Sequence, residues 1–154
     1  MGRLLRTLVI TAFTVTLLSS IPCRAATEEI LADANAIAQM EARALQAKPR
    51  EQCFLYTELV HAMTELAGHQ MLAGDPESAA VTLQRVHHYA ELIHLGLAND
   101  TKRLMNAQML MHHTTRRLDE YVQHASFEDR ESLQATLKQL TQVENELLNQ
   151  VFAH

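Results

Sequence analysis

Tryptophan is missing from this 154-residue chain, and glycine, proline and cysteine are scarce, with four, three and two residues. So little glycine and proline leaves few enforced turns, and the β-branched residues do not alternate with polar ones as they do in half-buried strands. Leu, Ala, Gln, Glu and Met dominate instead, and these residue types favour helices. The sequence therefore predicts an all-α protein, an antiparallel bundle of four or five helices.

An excess of positive charge is also lacking. Eighteen acidic and 13 basic residues give a formal net charge of −5, and the two signs are interspersed. Without a basic patch or an aromatic platform, the chain is not expected to bind nucleic acid. It has no Gly-x-Ser-x-Gly nucleophile, no glycine-rich phosphate loop and no Cys-x-x-Cys-His haem site. These absences predict a protein that is not an enzyme, with no cofactor beyond a candidate copper or zinc ion.

The N-terminus has the pattern of a secretory signal peptide. A short basic start is followed by the apolar run TLVITAFTVTLLSSI and by small residues at Cys23 and Ala25, three residues and one residue before a cleavage point. We therefore expect residues 1–25 to be removed and residues 26–154 to form one exported, periplasmic or secreted helical domain without a membrane span. An uncleaved anchor helix is the alternative. Pro22, in place of a small residue before Cys23, argues against a lipoprotein.

Cleavage at that point would leave Cys53 as the single cysteine, which excludes a disulfide within one chain. A lone cysteine is most often a small buried hydrophobic residue. The alternatives are an intermolecular disulfide and a metal-ligating thiolate.

Capping residues and apolar periodicity predict the helices. The first runs from about Thr27 to Ala47, with small apolar residues at Ala34, Ile37, Ala38 and Leu45, and the second from about Arg50 to Ala73. Gly74-Asp75-Pro76 ends the second helix and begins the third. A fourth segment carries Leu104, Met111 and Leu118, and the last helix begins at Ser126. The apolar stripe keeps its phase from Leu97 to Leu104, so helices 3 and 4 are predicted either as a hairpin turning near Asn99 or as one helix of roughly 48 residues.

One stretch resembles part of a known repeat. Leu66-Ala67, then Gly74-Asp75-Pro76-Glu77, Ala79 and Leu83, is similar to the second half of a tetratricopeptide (TPR) helical hairpin, over about residues 66–86. The closing proline and the large aromatic residues of that repeat are missing, and no second copy is found. The resemblance implies a tight helix-turn-helix at Gly74 and does not imply a peptide-binding groove.

Two Glu-x-x-His motifs, Glu58 to His61 and Glu91 to His94, match half of the di-iron pattern of ferritin-like bundles. At about 100° per residue, the first motif lies on one flank of its helix and the second on the opposite flank of the next helix. In an antiparallel pair these flanks lie on opposite sides, so the motifs are not expected to form a di-iron site.

The same reasoning applied to helices 3 and 4 places His87, His94, Met105 and His112 on one side of a hairpin that turns at Asn99. Imidazole and thioether ligands suit copper, zinc or nickel. These four residues are therefore a candidate metal site, with Glu91 or Met109 nearby. The site depends on the chain reversal, because a continuous helix would spread the residues over roughly 38 Å at about 1.5 Å per residue.

Two functions follow as hypotheses. The first is a non-catalytic interaction or scaffold protein with a protein partner or a second copy, using outward apolar residues such as Phe54, Leu72 and Met109. The second is a periplasmic protein that binds or senses a transition metal through the four residues above.

Overall fold

The computed structural model describes residues 22–97 and 101–153, and their side chains from Asp33 onward. Within these ranges the chain forms five helices and no strand: α1 Pro22–Gln46, α2 Pro49–Leu72, α3 Pro76–Gly96, α4 Leu104–His124 and α5 Phe127–Ala153. The predicted all-α bundle is confirmed. None of the helices in these ranges has an apolar stretch long enough to cross a bilayer. Residues 1–21, most of the expected signal peptide, lie outside the described residues.

The helix ends follow from local chemistry. Gly74 adopts a left-handed φ of 78° just after α2, a conformation that costs glycine little. The Asp75 carboxylate then accepts a hydrogen bond from the backbone N–H of Ser78 at 3.1 Å, and Pro76 occupies the first turn of α3. At the start of α5, the Ser126 hydroxyl accepts from the Asp129 N–H at 3.1 Å and donates to the Asp129 carboxylate at 2.7 Å. The predicted turns at Gly74 and Ser126 are both present.

The helices form two antiparallel hairpins, α2–α3 and α4–α5, that stack side by side. The Lys102 N–H donates to the Arg50 carbonyl at 2.8 Å, which places the start of α4 beside the start of α2. The Gln150 amide donates to the Leu97 carbonyl at 2.8 Å, which brings together the C-terminal ends of α3 and α5. Thus α2 runs parallel to α4 and α3 runs parallel to α5, while α3 and α4 occupy opposite corners.

The fifth helix, α1, lies outside this four-helix core. It packs antiparallel on α2, with Asp33 close to His69 and Arg43 paired with Glu58 at 2.8 Å. It also reaches α3, where the Glu41 carboxylate accepts hydrogen bonds from Arg85 at 2.5 Å and from Tyr89 at 2.9 Å. This position leaves the outer side of the α4–α5 hairpin without a covering helix among the described residues.

Helices α3 and α4 were predicted to form either one continuous helix or an adjacent hairpin, and both predictions are wrong. A single continuous helix is wrong, because α3 ends at Gly96 and Arg103 has a left-handed φ of 59° just before α4. A hairpin of adjacent helices is also wrong, because α3 and α4 are diagonal partners. Asn99, the predicted turn residue, lies outside the described residues.

Burial follows the apolar stripe of α3. The apolar residues spaced three or four apart along this helix and at its end, Ala79, Leu83, Val86, Ala90, Ile93 and Leu97, are all buried. The stripe predicted for α1 is wrong at Ala34, Ala38 and Leu45, which are exposed, whereas Ile37 and Ala44 are buried. Alanine occurs on every side of α1, so it could not mark the narrow face that packs on α2.

Candidate functional site

The four predicted metal ligands are not brought together by a hairpin of α3 and α4. His87 Nε2 lies 3.0 Å from the Thr136 hydroxyl of α5, and His94 Nδ1 lies 2.6 Å from the Glu146 carboxylate of α5. His112 approaches α5 from the opposite corner, with Nδ1 2.7 Å from Glu144. Met105 is 54% exposed near the start of α4.

Each of the three histidines therefore has its own partner on α5. Across the described residues, no group of three or more His, Cys, Asp or Glu side chains is arranged to hold a metal ion. The metal site was predicted on the assumption that α3 and α4 lie side by side. They do not, because α5 contacts His87 and His94 of α3 on one side and His112 of α4 on the other. Metal binding by this chain stays a prediction.

The two Glu-x-x-His motifs also face different neighbours. Glu58 pairs with Arg43 of α1, His61 meets Thr114 of α4, and His94 meets Glu146 of α5. This agrees with the expectation that the motifs do not converge.

Cys53 is buried, with 2% of its surface exposed, as the simplest interpretation of a lone cysteine predicted. Burial raises the pKa of its thiol to about 11. The thiolate that disulfide exchange and metal ligation require is therefore disfavoured at neutral pH.

A polar network joins α2 to α4. Arg117 donates two hydrogen bonds to the Glu65 carboxylate, at 2.9 and 3.0 Å, and the Tyr121 hydroxyl donates to the same carboxylate at 2.8 Å. Burial alone would raise the pKa of Glu65, but the bonds from Arg117 and Tyr121 outweigh it and hold the pKa below 4.5. This network, which we call the charged clamp, joins Glu65 of α2 to Arg117 and Tyr121 of α4 and so fixes the register of the α2–α3 hairpin against the α4–α5 hairpin.

His61 lies beside this clamp. The Thr114 hydroxyl donates to the Leu110 carbonyl at 2.8 Å, so its one proton is used and His61 Nδ1–H must donate to Thr114, 3.0 Å away. Burial lowers the pKa of His61 below 6.5, and the nearby charges of His113 and Arg117 add to that effect while Glu65 opposes it. His61 is therefore neutral near pH 7.

Apolar side chains are exposed along the outer groove between α4 and α5. The contact of His112 with Glu144 sets the register of the two antiparallel helices. A helix rises about 1.5 Å per residue, so along the shared axis Met109 lies about 4.5 Å from His112 and Leu148 about 6 Å from Glu144 in the same direction. Met109 and Leu148 are therefore at nearly the same height. Met105 and Phe152 form a second such pair about one helical turn further along. We call these four residues the apolar strip; they are 54, 64, 37 and 81% exposed in the order Met105, Met109, Leu148 and Phe152.

The surface predicted from sequence was partly wrong. Met109 and Leu72 are exposed as expected, but Phe54 is 6% exposed. The guanidinium of Arg103 covers its ring, with the central carbon 3.6 Å from the ring centroid. Local sequence patterns do not indicate this contact, because Arg103 lies far from Phe54 along the chain, after the segment that joins α3 to α4.

Arg103 and Phe54 border a cleft of about 690 Å³ between the end of α1, the first half of α2 and the start of α4. Two ion pairs lie in its walls: Arg43 with Glu58 at 2.8 Å, and Lys102 with Glu51 at 3.6 Å. The cleft and the apolar strip are two of the surface features of the described chain that could receive another molecule. Comparison of the chain with protein-family models, with curated proteins and with solved structures found no match.

Proposed function

We propose that this chain is an exported, non-catalytic interaction protein, and that its apolar strip binds the same strip of a second copy. The export rests on the pattern of residues 1–25. The interaction rests on one observation, the alignment of four exposed apolar side chains on neighbouring helices, whereas isolated exposed apolar residues are common on any surface.

The position of the strip supports this proposal. In stacked helical hairpins each unit buries its faces against its neighbours, and the terminal unit needs a polar outer face or a cover. On one side α1 packs over α2, but the α4–α5 hairpin presents Met105, Met109, Leu148 and Phe152 on its outer side.

A second copy fits the strip because its four side chains are apolar and the nearest charged groups, such as Arg116 and Glu120 beside Met109, lie at its edge. Two copies related by a two-fold axis would place apolar residues against apolar residues without burying an unpaired charge. Methionine side chains adapt their shape to such a contact. The contact of His112 with Glu144 would lie at the rim, where polar groups are usual.

Sedimentation equilibrium over a range of protein concentrations tests this directly. The unchanged protein should show a monomer–dimer equilibrium. Replacing Met109→Glu together with Phe152→Glu should raise the dimer dissociation constant at least about 100-fold, because each dimer would bury four carboxylates in an apolar contact. Both side chains are exposed in the monomer, so helix content by circular dichroism should not change.

Val81→Glu is the matched control, because Val81 is 60% exposed on α3, away from the strip. It should leave the dissociation constant unchanged. A protein that stays monomeric at the highest concentration, or a Val81→Glu variant that dissociates as readily as the double variant, would overturn the proposal.

A further inference from the structure

The cleft between α1, α2 and the start of α4 has the size of a small-molecule site. Its volume is about 690 Å³, which falls within the range of roughly 300–1,000 Å³ that such sites occupy. Its walls combine the partly buried Leu55 and Ala47 with three cations and two carboxylates. A site of this composition would bind a molecule with one apolar part and one charged part.

The charges in the cleft are unevenly paired. The carboxylate of Glu58 is taken by Arg43 and that of Glu51 by Lys102. Among the described residues, Arg103 has no carboxylate partner, and its guanidinium contacts the ring of Phe54 instead. The described lining residues therefore include one positive charge without a carboxylate partner, in a chain whose net charge is −5.

The backbone holds that charge in place. Arg103 has a φ of 59° and a ψ of 30°, the left-handed region that residues other than glycine rarely adopt. The preceding residue is fixed to α2 by the hydrogen bond from the Lys102 N–H to the Arg50 carbonyl at 2.8 Å. Strained conformations of this kind persist where the surrounding structure fixes them, and they cluster at binding sites.

Stacking on Phe54 also orders the guanidinium. Its central carbon lies 3.6 Å from the ring centroid, and no hydrogen bond from its N–H groups is found among the described residues, so these groups are available to donate. These donors match the two oxygens of a carboxylate, and a planar group that is already ordered loses less entropy when it binds.

We propose that this cleft binds a small amphipathic monocarboxylate, whose carboxylate pairs with Arg103 and whose apolar part lies against Leu55 and Ala47. Among the described lining residues Arg103 is the one cation without a carboxylate partner, so a ligand with a single negative charge matches it. This site is separate from the apolar strip and does not depend on dimer formation.

Isothermal titration of the purified protein with octanoate, below its micelle concentration, tests the proposal. Acetate supplies the carboxylate without the apolar part, and 1-octanol supplies the apolar part without the charge. Octanoate should bind at least about ten times more tightly than either, because it alone makes both contacts.

Arg103→Gly separates binding from folding. Glycine suits a φ of 59°, which offsets part of the contact with Phe54 that is lost, so this variant should still fold, with its helix content by circular dichroism unchanged. It should nevertheless bind octanoate at least about ten times more weakly, because the paired cation is lost. Arg116→Ala is the matched control, because Arg116 is an exposed arginine on the outer side of α4, outside the cleft, and should leave binding unchanged.

Three results would overturn the proposal. They are no binding of octanoate at millimolar concentration, equal binding of octanoate and 1-octanol, and an Arg103→Gly variant that binds as the unchanged protein does. Loss of binding in Arg116→Ala as well would also contradict it, because the effect would then reflect net charge and not the cleft.

Discussion

Gly68 of α2 lies directly against the ring of Tyr121 on α4. A Cβ atom placed on Gly68 would collide with the ring of Tyr121, whereas one placed on Gly96 would meet nothing within 4 Å. The absence of a side chain at Gly68 lets the Tyr121 ring lie flat on α2 and lets its hydroxyl reach Glu65 at 2.8 Å.

Replacement of Gly68→Ala should therefore destabilise the protein. The ring would have to move, so we expect a loss of about 1–3 kcal/mol, the range for overpacked cores, measured by urea unfolding. Gly96→Ala is the matched control and should change stability by less than about 1 kcal/mol. If both variants were equally stable, the Tyr121 ring would not be held against α2.

The burial of a single residue could be predicted from the sequence where the chemistry of its own side chain determines whether it is buried. Cys53 was expected to be buried and it is, since a lone cysteine behaves as a small apolar side chain. Phe54, its neighbour, was expected to face outward and does not, since its cover, Arg103, comes from a distant part of the chain. The cleft could not be found for the same reason.

At the scale of elements, α1 differs from the other four helices. Within its described side chains, Ile37 and Ala44 are the buried apolar residues, whereas α2 buries residues along its whole length. Its polar contacts with the core include the bonds of Asp33, Arg43 and Glu41 to α2 and α3, and a hydrogen bond from the Gln52 amide of α2 to the Ala44 carbonyl. With so little apolar burial, α1 should open more easily than the rest of the bundle.

Hydrogen exchange should show this difference. Amides of α1 should exchange through a local opening, at lower free energy than those of α5. Ile37→Ala should speed exchange in α1 and leave α5 unchanged. Leu140→Ala, in a fully buried residue of α5, should speed exchange throughout by lowering global stability by about 2–5 kcal/mol. Equal effects of Ile37→Ala on both helices would show that α1 is part of one cooperative unit.

Helix bounds were predicted well except at the start of α1, which begins at Pro22 and not at Thr27. Helix neighbours were not predicted well. Caps such as Asp75 and Ser126 are local, so they mark helix ends in the sequence itself. Periodicity shows which face of a helix is buried, but it does not show which helix covers that face. His87, His94 and His112 do lie on flanks that face a neighbour, but that neighbour is α5 and not the other helix of the predicted pair.

For the whole molecule, we expect the free energy of unfolding to decrease in two stages as the pH is lowered. The pKa of His61 is lowered by burial, so the unfolded chain binds this proton more readily than the folded chain, and stability falls as pH drops below 6.5. The pKa of Glu65 is also lowered, because hydrogen bonds from Arg117 and Tyr121 outweigh the effect of its burial. The stability linked to Glu65 is present above pH 4.5 and is lost as pH falls below that value.

The melting temperature of His61→Asn should depend less on pH than that of the unchanged protein between about pH 7.5 and about pH 5. Asparagine retains an N–H donor near the position of Nδ1, so the bond to Thr114 can persist without a group that titrates. The loss of stability below pH 4.5 should remain in the variant, since Glu65 is unchanged. An unaltered decline above about pH 5 would show that other histidines cause it.

The parallel stacking of the two hairpins has a consequence for the order in which the chain folds. Every side-chain bond between α2 and α4 or between α3 and α5 joins residues 49 to 56 positions apart. Contacts within each hairpin close much shorter loops around their turns, so they form first. The hairpins can then dock in one step, in which all the bonds between them form together at nearly the same cost in loop closure.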